Sequence, residues 1–311
     1  MILSVTPNAS IDITYIVEGF GVDKIHKPKS LEIVAGGKGI NIARVLKELN
    51  TPSMATGFIG GKNGDIILNK LSEEKIQNDF VRVGGESRTC IKIVDPKNST
   101  QTEINETGPV VTNEDSTCLL NKIDELLSGV EFLVLSGSCP PGLENTYYAD
   151  IIKHAKNKNV RVVLDASGEQ LAEAVKAVPY IFKPNVLELS ELTKKELYTQ
   201  EEVVKSAQNL IEQGIKIVAV TMGRSGAIVT DGREIWHATP PEINFVSAVG
   251  SGDAFIAAFL DTILRGESIS SALVWGISAG AANACTHSAG FVKKEDIEQI
   301  REDVILSRLS I

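Results

Sequence analysis

The chain has 311 residues, 43% of them hydrophobic and 23% charged, with a formal net charge of −9. An acidic chain of this kind does not suit general binding to nucleic acid or anionic membranes, and its length fits one large domain or two modest ones. Its four cysteines (Cys90, Cys118, Cys139, Cys285) form no CxxC pair and no metal-like spacing with histidine, so neither a disulfide framework nor structural zinc is expected.

The N-terminal ILSVT reads as a buried strand rather than a signal peptide. No apolar run approaches the roughly 20 residues of a membrane span, and a cytoplasmic location is expected. A polar, β-rich stretch to about residue 35 leads into KGINIARVLKEL, whose apolar residues recur at helical spacing. SMATGFIG reads as a strand and GDIILNKLSEE as a helix, while RTCIKIVDP and TQTEINET predict a hairpin around Pro96 to Asn98. From residue 113 the alternation is regular: helix 113–127, strand 131–137, helix 145–157, strand 160–166, helix 168–176, strand 180–183, helix 200–213, strand 216–223. A hairpin from about 227 to 238 follows, and helices near 251–264, 269–286 and 294–302 close the chain.

Nearly all-apolar, β-branched strands alternating with helices predict a parallel sheet covered on both faces. The polar segments at about 10–35 and 86–108 do not fit that sheet and predict a small separate sheet acting as a lid. Parallel sheets bind ligands at the carboxyl ends of their strands. Gly137-Ser138, Asp165, Lys183-Pro184-Asn185 and Thr221-Met222-Gly223 all fall there.

Two glycine clusters stand at helix starts. In VGSGDAF, Gly250, Ser251 and Gly252 let several backbone N–H groups converge into an anion site, and Asp253 follows at once. A carboxylate beside an anion site suits a base that takes a proton from an attacking hydroxyl, although an acid in a first turn also serves as a plain cap. In AGGKGIN, Gly37, Lys38 and Asn41 combine close backbone approach with a cation and a two-way hydrogen-bonding amide; a tight turn with a solvated lysine is the plainer alternative. Neither GxxxxGK[ST] nor GxGxxG occurs, which leaves no support for a P-loop or for a nicotinamide-dependent oxidoreductase.

The blocks AGGKGINIARVLKEL, SGSCPPG, KPNVLEL, TMGRSGA and VGSGDAF, in this order and spacing, resemble the PfkB (ribokinase-like) carbohydrate kinase family over essentially the whole chain. TPNASID, the lysine in GGKGIN and TEINETGP resemble its tagatose-6-phosphate kinase and 1-phosphofructokinase branch. The resemblance implies one kinase domain over residues 1–311, with a mostly parallel central sheet, helices on both faces, a β lid, and ATP and Mg²⁺ as cofactors. It implies Asp253 as the base and Gly250 to Gly252 as the anion hole. It places Asp12, Gly37, Lys38, Asn41, Arg88 and Ser138 on a phosphorylated ketohexose. Lys183, Asn185, Glu188, Thr221, Gly223, Gly226 and Asn283 fall to the nucleotide, with Glu188 on Mg²⁺ through water.

Several plainer roles stay open. Asn185 and Glu188 also make an ordinary helix cap, the small residues of 278–290 also pack helices, and Glu103 and Asn105 are expected to face water rather than sugar. Ser251 stands where the family carries an alanine, which leaves the amide hole plausible, and Ser247 stands where it carries an acid, so no monovalent-cation site is expected. Cys90 and GSGD lean toward tagatose 6-phosphate and GKGIN toward fructose 1-phosphate, with tagatose 6-phosphate placed slightly ahead. A non-catalytic phosphosugar-binding regulator is the remaining rival, and pairing of lid strands predicts a homodimer.

Overall fold

A computed structural model describes residues 1–310. The chain opens with β1 (Ile2–Thr6), β2 (Ser10–Ile16), β3 (Ser30–Gly36), α1 (Lys38–Glu48), β4 (Ser53–Gly60), α2 (Gly61–Glu73) and β5 (Val81–Val83). The pair β6 (Arg88–Asp95) and β7 (Thr100–Asn105) precedes α3 (Asn113–Leu126) and β8 (Phe132–Gly137). Next come α4 (Tyr147–Asn157), β9 (Arg161–Ala166), α5 (Gln170–Lys176), β10 (Ile181–Phe182), α6 (Val186–Thr193), α7 (Gln200–Glu212) and β11 (Ile217–Thr221). The chain closes with β12 (Ala227–Thr230), β13 (Ile235–Thr239), α8 (Ser251–Leu264), α9 (Ile269–Ala284), α10 (Lys294–Arg301) and β14 (Ile305–Arg308).

Ten strands form the main sheet in the order β14-β13-β12-β11-β10-β9-β8-β1-β4-β5. Every pairing from β11 through β5 is parallel, and the pairings among β11, β12, β13 and β14 are antiparallel. Alternate residues of one strand serve opposite cores. Ile2, Phe132, Val134 and Val163 pack with the apolar faces of α1, α8 and α9. Leu3, Leu133, Leu135 and Leu164 pack with α3, α4, α5 and α7. Burial on both sides explains why these strands carry no polar alternation. The chain runs from β1 outward to β4 and β5, then returns to β8 on the other side of β1. That reversal opens a crevice at the carboxyl ends of the central strands.

The second sheet has the order β3-β2-β6-β7. Its outer pairs are antiparallel and its central pair, β2 with β6, is parallel. The register aligns Ser10 with Arg88, Asp12 with Cys90, and Thr14 with Lys92, and on the next strand Asn105 with Cys90 and Glu103 with Lys92. With a side-chain period of two, these residues share one face.

Two short strands depart from the sequence expectation. The three-residue β5 is too brief to show a period. The terminal β14 is exposed along its length, so Ile305 and Leu306 gave no burial pattern to read; the chain closes on this edge strand and not on a helix.

Candidate active site

The polar face of the second sheet covers a cleft of about 1150 Å³ at the carboxyl ends of the main-sheet strands. Asp12, Arg88, Cys90, Lys92, Glu103 and Asn105 line it from the small sheet; Lys38, Asn41, Lys183 and Gly250 to Asp253 line it from the main body.

Gly250 has φ +84°, and a Cβ there would lie 2.6 Å from the Ala289 Cβ, so the turn into α8 needs glycine. Ala254 N–H donates to the Gly250 carbonyl, starting the helix; Ser251 N–H is taken by the Ala248 carbonyl at 3.2 Å, which leaves the amides of Gly250 and Gly252 at its mouth. Asp253 lies in that first turn and is buried (5% exposed). Asn41 Nδ2 donates to Asp253 Oδ2 at 2.8 Å, joining α1 to α8. Burial pushes the Asp253 carboxyl up to about 7; Asp165 adds to the rise, while Lys38, Asn41 and Lys183 oppose it.

A pair of cations, Lys183 buried and Lys38 half-buried, stands beside this helix end. Asp165, fully buried at the end of β9, accepts from Lys38 Nζ at 3.2 Å and from Lys183 Nζ at 2.9 Å. Its Oδ2 has no hydrogen-bond partner among the described residues. Burial disfavours the Lys38 ammonium, yet Asp165, Asp253 and Glu188 together hold its pKa above the usual lysine value. A Cβ on Gly252 would lie 3.4 Å from Lys183 Nζ, so this ammonium sits directly against the glycine turn.

At the other end of the cleft, the Asp12 carboxyl lies where a Cβ on Gly36 would fall, 2.1 Å from the nearest carboxyl atom. Ser10 Oγ donates to Asp12 Oδ1 at 2.6 Å. Burial raises the Asp12 pKa, with Ser10, Arg88, Lys92 and Arg44 opposing the rise. Arg88 donates Nε to the Asn8 carbonyl at 3.1 Å, and neither terminal nitrogen is engaged among the described residues. Lys92 reaches the His287 carbonyl at 3.4 Å, and burial lowers its pKa against the pull of Glu103, Asp12 and Glu32.

Gly37, Asn185, Thr221, Gly223 and Gly226 also line the cleft. Asn185 and Glu188 form a reciprocal capping box: Glu188 N–H donates to Asn185 Oδ1, and Asn185 N–H donates to Glu188 Oε2, both at 2.8 Å. This plainer role is therefore present, and it leaves Glu188 Oε1 free of the cap. Glu188 and Ser138 are not among the residues that line the cleft; Ser138 follows Gly137, on which a Cβ would lie 3.8 Å from Lys38 Cβ.

Asn283 corrects an expectation. It is wholly buried, donates to the Val249 carbonyl at 2.7 Å and accepts from Gly290 N–H at 2.7 Å, so its amide braces the glycine turn from behind instead of facing a nucleotide base. Glu103 and Asn105 are exposed, as expected, and the face they share with Lys92 and Cys90 also lines the cleft.

Sequence reasoning placed Asp165 at the crevice without a role, and it passed over Lys92 and Arg44. The period-two run Arg88, Cys90, Lys92 was the readable signal for Lys92. Arg44 follows Asn41 by three residues, which sets both on one face of α1.

A nucleotide-scale cleft, an amide-lined helix mouth holding a carboxylate, and cations at both ends on a ribokinase-like α/β scaffold define an ATP-dependent sugar kinase. The chain belongs to the pfkB family of carbohydrate kinases, whose family model matches residues 4–296. It is 35% identical over 285 residues to a 1-phosphofructokinase of Borreliella burgdorferi, covering 91% of this chain and 92% of that one. It is 35% identical over 309 residues to a 1-phosphofructokinase of Bacillus subtilis, covering 99% and 100%. A Thermotoga maritima structure described as a possible 1-phosphofructokinase superposes over the full length of both chains with a TM-score of 0.92 and 28% identity.

Proposed function

We propose that this kinase transfers the γ-phosphoryl group of ATP to the 6-hydroxyl of fructose 1-phosphate, giving fructose 1,6-bisphosphate. The observation that carries the reading is Asp253, buried in the first turn of α8, held by Asn41, and sharing one cleft with the unengaged Arg88 guanidinium. The relatives named 1-phosphofructokinase favour this sugar over the tagatose 6-phosphate that the sequence motifs place slightly ahead.

Asp253 accepts the proton of the attacking hydroxyl. A carboxyl raised to about 7 is matched to that task near neutral pH. The hydroxyl oxygen then forms a bond to the γ-phosphorus as the bond to the ADP leaving oxygen breaks. Amides of the Gly250–Gly252 turn and the Lys183 ammonium stabilise the charge on the migrating group. Arg88 and Lys92 hold the phosphate already on the sugar, Asp12 accepts from sugar hydroxyls, and Lys38, paired with Asp165 beside the helix mouth, adds positive charge at the transfer end. The small sheet, covering the cleft as a lid within a single kinase domain, excludes water that would divert ATP to hydrolysis.

The oxygen donors at the α6 cap fit a hard divalent ion such as Mg²⁺, which keeps much of its hydration. Among the described residues no group of three or more His, Cys, Asp or Glu side chains forms a dedicated metal cage. Such an ion would be held chiefly by phosphate and through water by Glu188, and it would supply neutralisation of phosphate charge.

The outer face of the small sheet exposes Leu31 (52%), Ile33 (38%) and Ile104 (57%). We infer a homodimer through this face; light scattering reads its mass, and a monomer contradicts it.

The test of the function is kcat/KM for fructose 1-phosphate, tagatose 6-phosphate and fructose 6-phosphate at equal MgATP. Fructose 1-phosphate gives the highest value. A higher value for tagatose 6-phosphate replaces the sugar, and activity on unphosphorylated sugars alone ends the phosphosugar reading.

A further inference from the structure

Arg44 is buried (6% exposed) in the middle of α1, outside the cleft wall. All five of its N–H groups are used. Nε and Nη2 donate to the two carboxylate oxygens of Glu74, the residue capping the C-terminus of α2, at 2.5 and 3.1 Å. Nη2 also donates to the Ala35 carbonyl at 2.7 Å, at the end of β3. Nη1 donates to the Ala289 carbonyl at 3.1 Å and to Asn41 Oδ1 at 3.0 Å. The guanidinium also lies over the Phe291 ring, 4.4 Å from its centre.

A guanidinium donates and never accepts. The end of the Asn41 amide that meets Arg44 must therefore be the oxygen, and the end that meets Asp253 must be the NH₂. An asparagine amide free of such a partner can turn over and present its oxygen to the carboxylate, which repels it. We infer that Arg44 is a positioning residue for phosphoryl transfer: through the chain Glu74–Arg44–Asn41–Asp253 it fixes the Asn41 amide so that Asp253 Oδ2 always receives a hydrogen bond and Oδ1 is left for the substrate hydroxyl. The inference rests on Asp253 serving as the base. The same guanidinium ties Ala289, which abuts Gly250, to the last residues of β3, so the base and the glycine turn share one brace.

A donor to an ionised carboxylate lowers its pKa, and losing that donor raises it. The other charged groups acting on Asp253 are Lys38 at the start of α1, Asp165 at the end of β9, and Lys183 after β10; none of them contacts Arg44. A change at Arg44 thus reaches Asp253 by way of Asn41, and the acid limb of kcat against pH reads it.

Two variants are compared with the parent under MgATP and saturating sugar phosphate. Arg44→Met with Glu74→Gln removes both charges of the buried pair together. Arg44→Lys keeps the charge against Glu74, but one ammonium cannot serve Glu74, Asn41 and both carbonyls at once. Each variant lowers kcat by about 10- to 100-fold, less than the roughly 10²–10⁴-fold a base supplies, leaves KM for ATP within about threefold, and moves the acid limb to higher pH. In an Asn41→Ala background, Arg44→Lys produces no further movement of the limb. A limb that stays at the parent position, or a movement that adds to that of Asn41→Ala, overturns the inference. If the doubly substituted protein does not melt cooperatively, the limb of Arg44→Lys decides alone. Asp253→Asn run in parallel separates the two levels: a variant that keeps its rate removes the base assignment and this inference with it, whereas a dead Asp253→Asn beside an unmoved Arg44→Lys removes the inference only.

Discussion

The two ends of the cleft are built on different principles. At the helix mouth, Asp253, Asn41, Lys183 and Asp165 are each under 6% exposed and are tied in two pairs, Asn41 of α1 to Asp253 of α8 and Lys183 after β10 to Asp165 of β9. At the small sheet, Arg88 and Lys92 are only partly buried, each with a single contact to a backbone carbonyl. The first end is preorganised for a charge that develops in the reaction. The second is left with unspent donors for a ligand that brings its own charge. Rigid, desolvated groups suit the step common to every substrate; adaptable cations on a separate sheet suit the part of the substrate that differs.

Substitutions should separate the two ends by which kinetic constant they move. The largest effect is expected at Asp253. Asp253→Asn lowers kcat by roughly 10²–10⁴-fold while ATP affinity, read by calorimetry, stays within a few-fold. The stability effect has the opposite sign. The folded pKa of this acid is raised from 3.8 to about 7, so the stabilisation from its bound proton is present below about pH 4 and is lost as pH rises through 7. At pH 8 the neutral asparagine therefore melts no lower than the parent.

Asp165→Asn comes next. It leaves Lys183 without its buried counter-charge, and breaking such a pair costs about 3–5 kcal/mol, read by chemical denaturation. A loss under about 1 kcal/mol would mean that the cluster is not desolvated as the structure shows. Gly250→Ala follows. The alanine must hold φ near +84° with its Cβ against Ala289, a strain of about 1–3 kcal/mol, and its kcat falls more than its KM rises. The smallest effect is at the small sheet. Arg88→Met raises KM for the sugar phosphate by about tenfold or more, the cost of one charge-assisted hydrogen bond, with kcat nearly unchanged. A fall in kcat with KM unmoved would erase the distinction between the two ends.

Much of this was legible in the sequence because it rests on local chemistry. The glycine turn, the acid after it and the apolar helix behind it are contiguous in VGSGDAF. The sheet showed itself in strands such as VRVVLDA, whose unbroken apolar runs report burial on both faces. What stayed hidden depends on distant residues. Asn283 looks like any small polar residue in a helix, and only the approach of Val249, 34 residues earlier, makes it a brace of the glycine turn. Asp165 is an ordinary strand-end acid until Lys38, 127 residues away in sequence, is folded onto it. The choice of sugar resisted for the same reason: in the proposed function it falls to side chains of β2, β6 and β7 that meet only through the register of the small sheet.

The most direct test of the account is the pH dependence of kcat/KM, which reports groups of the free enzyme, for the unmodified kinase with MgATP and fructose 1-phosphate, measured from pH 5.5 to 9. A base pushed up to about 7 predicts a rate that climbs tenfold per pH unit on the acid side and levels off near neutrality, with the limb moving further up when Lys38 is replaced by methionine. A rate that is flat from pH 5.5 to 8 would contradict the account, because no carboxyl with that burden of burial could then be taking the proton.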